Sequence, residues 1–182
     1  MTRDLQIIKE LQSKFGEFNY KISNDKVINL ILNTKGVKTK DLKLIGELTS
    51  LETLGLLNNK IKTIQGLNNL TKLKHLDLRF NQITKIEGLD TLVGLQSLNL
   101  SYNQITEIGG IKKLTNLRKL DLGYNQIETI QDLDKLVNSK ELWVELGFNK
   151  IPGSEELGGF KTIRKKLEQF SEISKIDITY NM

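Results

Sequence analysis

Residues 92–113 read Leu92-Val93-Gly94-Leu95-Gln96-Ser97-Leu98-Asn99-Leu100-Ser101-Tyr102-Asn103-Gln104-Ile105-Thr106-Glu107-Ile108-Gly109-Gly110-Ile111-Lys112-Lys113. With Leu92 as offset 0, leucine fills offsets 0, 3, 6 and 8, asparagine fills offset 11, and isoleucine fills offsets 13, 16 and 19. The same eight places recur every 22 residues on both sides. Starting at Leu48 they are Leu48, Leu51, Leu54, Leu56, Asn59, Ile61, Ile64 and Leu67. From Leu70 they are Leu70, Leu73, Leu76, Leu78, Asn81, Ile83, Ile86 and Leu89. From Leu114 they are Leu114, Leu117, Leu120, Leu122, Asn125, Ile127, Ile130 and Leu133. A period of this length is the mark of a solenoid, in which each coil buries its apolar stripe only by stacking on the next.

Leucines at offsets 6 and 8 alternate with polar residues, which predicts a short strand with one buried face. The spacing of threes at offsets 13, 16 and 19 predicts a tight, 3₁₀-like return path. Stacked coils then form a parallel sheet. Asparagine at offset 11 lies where the chain leaves the strand and turns inward. A carboxamide both donates and accepts, so it can satisfy backbone groups there coil after coil. The expected ladder is Asn59, Asn81, Asn103, Asn125, Asn149 and Asn181.

The run Leu-x-x-Leu-x-Leu-x-x-Asn-x-Ile resembles a leucine-rich repeat. The 22-residue spacing with Ile-x-x-Ile-x-Gly-Leu is similar to the class in a protein-phosphatase regulatory subunit and in bacterial internalins. The resemblance implies an α/β solenoid, a right-handed coil with a parallel concave β-sheet and short 3₁₀ or irregular convex segments. It also implies a non-catalytic interaction scaffold or adaptor that binds a protein or peptide on the concave face, since the family is known for doing so.

Both ends depart from the pattern. Leu5, Ile7, Ile8, Leu11 and Phe15 predict an amphipathic helix over residues 4–15, and residues 27–32 predict a strand. Residues 33–40 read as a turn, after which Leu42, Ile45 and Leu48 resume the threes. Residues 1–47 are thus expected to form a helix-plus-strand cap, and residues 48–182 the solenoid. Within it, 48–135 hold four regular repeats and 136–182 two irregular ones. The fifth coil keeps the strand phase after a two-residue insertion. The last resembles the longer ribonuclease-inhibitor type, with a convex α-helix expected from Ser154 or Glu155 to Gln169 on Leu157, Phe160, Ile163 and Leu167. A sixth strand is expected at Ile173, Ile176, Ile178 and Asn181, with no recognisable cap before Met182. An uncovered last strand is an association hazard, so a structural or self-assembly module, a homodimer through the C-terminal edge, is the alternative to the binding scaffold.

Outward positions are read at offsets 5, 7, 9 and 10, and they supply the candidate partner-binding residues. These are His75, Lys119 and Trp143 at offset 5, and Asp77, Asn99, Asp121 and Glu145 at offset 7. Arg79 stands at offset 9, and Phe80, Tyr102, Tyr124 and Phe148 at offset 10. Aromatic residues favour interface cores, and Trp143, the single tryptophan, is the sharpest anchor. Competing readings stand beside these. The aromatics can pack along the sheet edge, Arg79 and Lys119 can neutralise the acids, and the insertion before Trp143 can tuck it inward. The acids at offset 7 weakly favour a basic ligand.

Catalysis has little to work with. There is no cysteine, one histidine, and no Gly-rich phosphate loop after a strand. No enzyme, no cofactor and no metal site is expected; His75 and Asp77 lack a second histidine. The charge is +5, from Lys+Arg 27 and Asp+Glu 22, spread without a dense block beyond Arg164-Lys165-Lys166. Nucleic acid is therefore not expected as a partner. Neither is a membrane, because no apolar run approaches the ~20 residues of a span and the N-terminal helix has a polar face of mixed sign. With no cysteine and no signal-peptide core, a cytoplasmic location is the expectation.

Overall fold

The computed structural model describes residues 1–130, 133, 142–151 and 176–179. Helix α1 (Arg3–Phe15) is followed by strands β1 (Asn19–Ser23) and β2 (Lys26–Ile31). A 3₁₀ turn (Thr39–Asp41) and the short helix α2 (Leu42–Ile45) lead into the solenoid. Its strands are β3 (Thr53–Gly55), β4 (His75–Asp77), β5 (Ser97–Asn99), β6 (Lys119–Asp121), β7 (Leu142–Glu145) and β8 (Ile176–Thr179). All eight form one sheet in chain order. β1 pairs antiparallel with β2, and every later pair is parallel.

The 22-residue period sets the register. Leu54, Leu76, Leu98, Leu120 and Val144 are successive partners across the sheet. Every Leu and Ile at the repeat offsets is buried, the most exposed being Ile130 at 7%. The 3₁₀-type steps run through offsets 19, 0 and 3 in these coils and not through 13, 16 and 19 as expected. Leu70 N–H donates to the Leu67 carbonyl and Leu73 N–H to that of Leu70, each at 2.9 Å. The same 3₁₀-type steps recur at Leu92 and Leu95 and at Leu114 and Leu117. A residue three ahead lies on the same side of such a turn, so one apolar stripe lines the return path. At offset 18, Gly88 and Gly110 have φ of 73° and 62°. A Cβ on Gly88 would lie 2.0 Å from the Ile64 carbonyl oxygen, so only glycine lets the coils close here.

The asparagine ladder closes the other corner. Asn103 Nδ2 donates to the Leu78 and Leu100 carbonyls at 3.0 Å, and its Oδ1 accepts from Ile83 N–H at 3.0 Å. Asn81 and Asn125 repeat these bonds one coil away on either side. Asn149 does so in the fifth coil. Each carboxamide thus satisfies carbonyls of two coils and one otherwise orphaned amide. Asn181 and the helix expected over 154–169 lie outside the described residues.

At the N-terminus Thr2 caps α1 by accepting from Leu5 N–H, and Ile7, Ile8 and Leu11 join the core beside Val27 and Leu30. β1 is absent from the sequence reading because all five of its residues are exposed and leave no alternation to detect. Residues 33–40 are also more than a turn. β2 runs in phase with the repeat, Leu30 pairing with Leu54, and Leu32 and Val37 are buried where offsets 8 and 13 belong. The cap therefore contributes a coil of its own. Lys35 stands in the asparagine's place, and Asn59 compensates by accepting from both Lys35 N–H (3.1 Å) and Val37 N–H (2.9 Å).

Candidate concave face and aromatic ladder

Offset 5 is the first residue of the three-residue strands β3 to β6 and the second of β7. His75 and Lys119 are exposed, while Thr53, Ser97 and Trp143 are half-buried. Trp143 does not tuck inward. In β7 it alternates with buried Leu142 and Val144 and pairs in register with Lys119 of β6. The Lys119 ammonium stands 4.8 Å from the centre of the Trp143 ring, a cation–π contact.

Offset 7 has a backbone duty. Asp77 accepts from Arg79 N–H (3.1 Å), Asn99 from Ser101 N–H (3.0 Å), Asp121 from Gly123 N–H (3.1 Å), and Glu145 from Gly147 N–H (2.7 Å). Each side chain caps the amide two residues on, where the strand ends; the Asp and Asn members form Asx-type turns. The acids are further engaged sideways. Arg79 grips Asp77 through Nε and Nη2, and Asn99 Nδ2 donates to Asp121 Oδ2 at 2.9 Å. Asp77 holds the Arg79 guanidinium above its ordinary pKa. In this row Asp77 is paired with a cation, while Asp121 and Glu145 take bonds from neutral donors.

Offset 9 is corrected as well. Ser101 is 4% exposed, its hydroxyl donates to Asn99 Oδ1, and Gly123 and Gly147 are buried. The chain has already begun its turn there, so among the residues of this column whose burial is described only Leu57 and Arg79 keep partial access.

Offset 10 lies beyond the strands, on the rim of the sheet. Phe80, Tyr102, Tyr124 and Phe148 all adopt left-handed φ, between 54° and 57°. Bulky side chains rarely accept that conformation. Their rings stack in one column, with centroids 4.1, 4.1 and 4.2 Å apart and planes within 15° of parallel. This spacing is less than the ~4.7–4.9 Å between strands, so the rings converge away from the backbone. They remain 45, 39, 41 and 40% exposed, far more than core aromatics. The ring faces meet one another, leaving edges and the two tyrosine hydroxyls for solvent. The neighbouring Tyr124 hydroxyl raises the pKa of Tyr102 above its usual value.

The candidate residues thus fall into two sets: strand positions on the sheet face and a stacked column on its rim. The amide-capping role of offset 7 is absent from the sequence reading, although acceptors at four of five coils in this column were a usable sign of it.

The sequence profile for leucine-rich repeats, two copies, matches residues 40–91 and 93–135, more than half the chain. This protein belongs to the leucine-rich repeat family. Among solved structures, this leucine-rich repeat chain is similar to the internalin InlF of Listeria monocytogenes, at 27% identity and a TM-score of 0.67. That match covers 87% of this chain and 48% of the internalin, so the chain spans about half the internalin's length. It also shares its fold with the ectodomain of the receptor kinase SOBIR1 from Arabidopsis thaliana, at 20% identity and a TM-score of 0.62. There the match covers 82% of this chain and 94% of the ectodomain. No curated protein matches the sequence. Leucine-rich repeat solenoids commonly mediate protein–protein contacts. Among the described residues, no helix is long and apolar enough to cross a membrane.

Proposed function

We propose that this leucine-rich repeat protein is a non-catalytic binding module that takes a protein or peptide ligand along its concave sheet face and aromatic rim. The supporting observation is the exposed ring column Phe80–Tyr102–Tyr124–Phe148. An unbroken apolar strip open to water is the kind of surface that partners cover. His75, Lys119 and Trp143 supply polar and aromatic contacts beside it, and the capped row Asp77, Asn99, Asp121 and Glu145 keeps the sheet rigid beneath the ligand. Because the ring faces are stacked on each other, the strip offers no interior slot for a flat base or sugar. It suits aliphatic side chains lying across ring edges and backbone groups bonding the tyrosine hydroxyls.

The test uses affinity capture from the native cell followed by binding measurements on the purified partner. Tyr102→Asn with Tyr124→Asn keeps the backbone geometry that Asn58 already adopts at φ 53° in the first coil. Loss of binding in this variant and in Trp143→Ala, with the fold retained by circular dichroism, supports the reading. A partner held with undiminished affinity by both variants rejects it.

A further inference from the structure

Along the sequence the lysines look evenly spread, but coil stacking gathers some of them. Lys38 and Lys60 sit on directly bridged backbone segments of adjacent coils. Lys62 follows, its N–H donating to Thr39 Oγ1. Thr39, Lys40 and Lys43 line one wall of a groove of about 550 Å³, and Gln65, Asn68 and Asn69 line the other. All five lysines are exposed. The nearby acids are committed elsewhere. Glu47, also at the groove, pairs with Arg3 at 3.0 Å, and buried Asp41 holds Lys14 and the Lys38 amide.

These lysines are not the habit of the repeat. At offset 12 Lys60 corresponds to Gln82, Gln104 and Gln126; at offset 14 Lys62 corresponds to Thr84, Thr106 and Glu128. At these two offsets the first coil alone among the four regular ones carries lysine, and Lys38 and Lys60, on bridged segments, repel as like charges. The structure pays for a surface that an anionic ligand would relieve.

We propose that this return-side groove is a second docking site, and that its occupant is an acidic, extended segment of a protein partner. A concave groove receives an extended chain and does not match a flat bilayer. The carboxamides of Gln65, Asn68 and Asn69 donate and accept, matching peptide backbone, while Lys40 and Lys43 meet its carboxylates. The lining holds no aromatic on which a base could stack. The site is separate from the concave face and stands or falls without it.

A fluorescein-labelled Glu-Ala repeat peptide, followed by anisotropy at low and raised salt, tests this on the full chain. Binding is expected to weaken with salt and to fall about tenfold or more in Lys40→Glu/Lys43→Glu. Lys112→Glu/Lys113→Glu makes the same charge change at exposed residues of the third coil and is expected to bind as wild type. Trp143→Ala is expected to leave the affinity unchanged. Equal loss in both charge-reversed variants, no binding by wild type, or tighter binding to phosphatidylserine vesicles or oligothymidylate than to the peptide would overturn the proposal.

Discussion

Tyr102 tests whether the aromatic ladder offsets a backbone cost with ring contacts. The residue is held at φ 56°, and a left-handed conformation costs an ordinary L-residue about 1–2 kcal/mol. Its ring stacks on Phe80 and on Tyr124, both at 4.1 Å, and each such contact contributes about 0.5–1.5 kcal/mol beyond area burial. Two contacts supply about 1–3 kcal/mol, the same size as the penalty. Tyr102→Ala removes the contacts and keeps the strain, so it is expected to cost about 1–3 kcal/mol. Tyr102→Asn removes the same contacts but relieves most of the strain, since Asn tolerates this region. It should therefore be more stable than the alanine variant by about 1 kcal/mol, or roughly 2–4 °C in Tm. Phe80, at the end of the column, has one stacking partner among the ladder rings, so Phe80→Asn should be nearly neutral. Urea titration followed by circular dichroism reads the series. An alanine variant as stable as the asparagine variant would refute the strain argument. Equal losses at Phe80 and Tyr102 would refute the stacking argument.

Three further outcomes are expected. Asn103→Ala strips partners from buried Leu78 and Leu100 carbonyls and the Ile83 amide, and should cost about 1–3 kcal/mol by denaturant titration; no loss would remove the ladder's role. Gly88→Ala forces a Cβ onto the Ile64 carbonyl at φ 73° and should cost about 2 kcal/mol or more, whereas Gly94→Ala meets only atoms at 3.7 Å or beyond and should be neutral or stabilising by under about 1 kcal/mol. Comparable melting of the two glycine variants would contradict the close-packing account. Finally, the neighbouring Tyr124 raises the pKa of Tyr102 above its usual value. The unfolded chain releases the Tyr102 proton first, so this contribution is intact below pH about 10 and is lost as pH rises through the higher folded value. Tyrosinate absorbance should show one tyrosine ionising late in wild type and earlier in Tyr124→Phe; an unchanged titration would rule out the hydroxyl pair.

The repeat was legible because its period is written in side chains with a strict burial requirement. Leu76, Leu98 and Asn103 could be placed from spacing alone, since a coil has one inside. β1 was not legible, because none of its residues is buried. The cap's own coil was hidden by substitution: Lys35 replaces the landmark asparagine, and Val37 replaces isoleucine. On the candidate site, Trp143 could be placed because strand alternation is a parity rule that survives a two-residue insertion. The aromatic column could be counted, but not oriented. Spacing says nothing of φ, and the left-handed turn carries Phe80, Tyr102, Tyr124 and Phe148 off the strand and onto one another.

The first coil shows how much of the concave face serves the fold before it serves a ligand. Gly55 stands at offset 7 there and has no side chain with which to cap Leu57 N–H. Asn33 does so from the neighbouring coil instead, its Oδ1 accepting at 2.9 Å. A Cβ on Gly55 would lie 3.1 Å from that oxygen and 2.8 Å from Ile31 Cδ1, so the missing side chain makes room for the substitute. The offset-9 amide is thus capped in the first five coils, by whatever residue reaches it. That duty explains why offset 7 is restricted to acceptors or to glycine with a stand-in. Offset 5 carries no such duty, and there the same five coils hold Thr53, His75, Ser97, Lys119 and Trp143, five different residue types. The fold leaves this column free to vary, so under the proposed function discrimination among ligands would be built here and on the exposed edges of the ring ladder without loosening the solenoid.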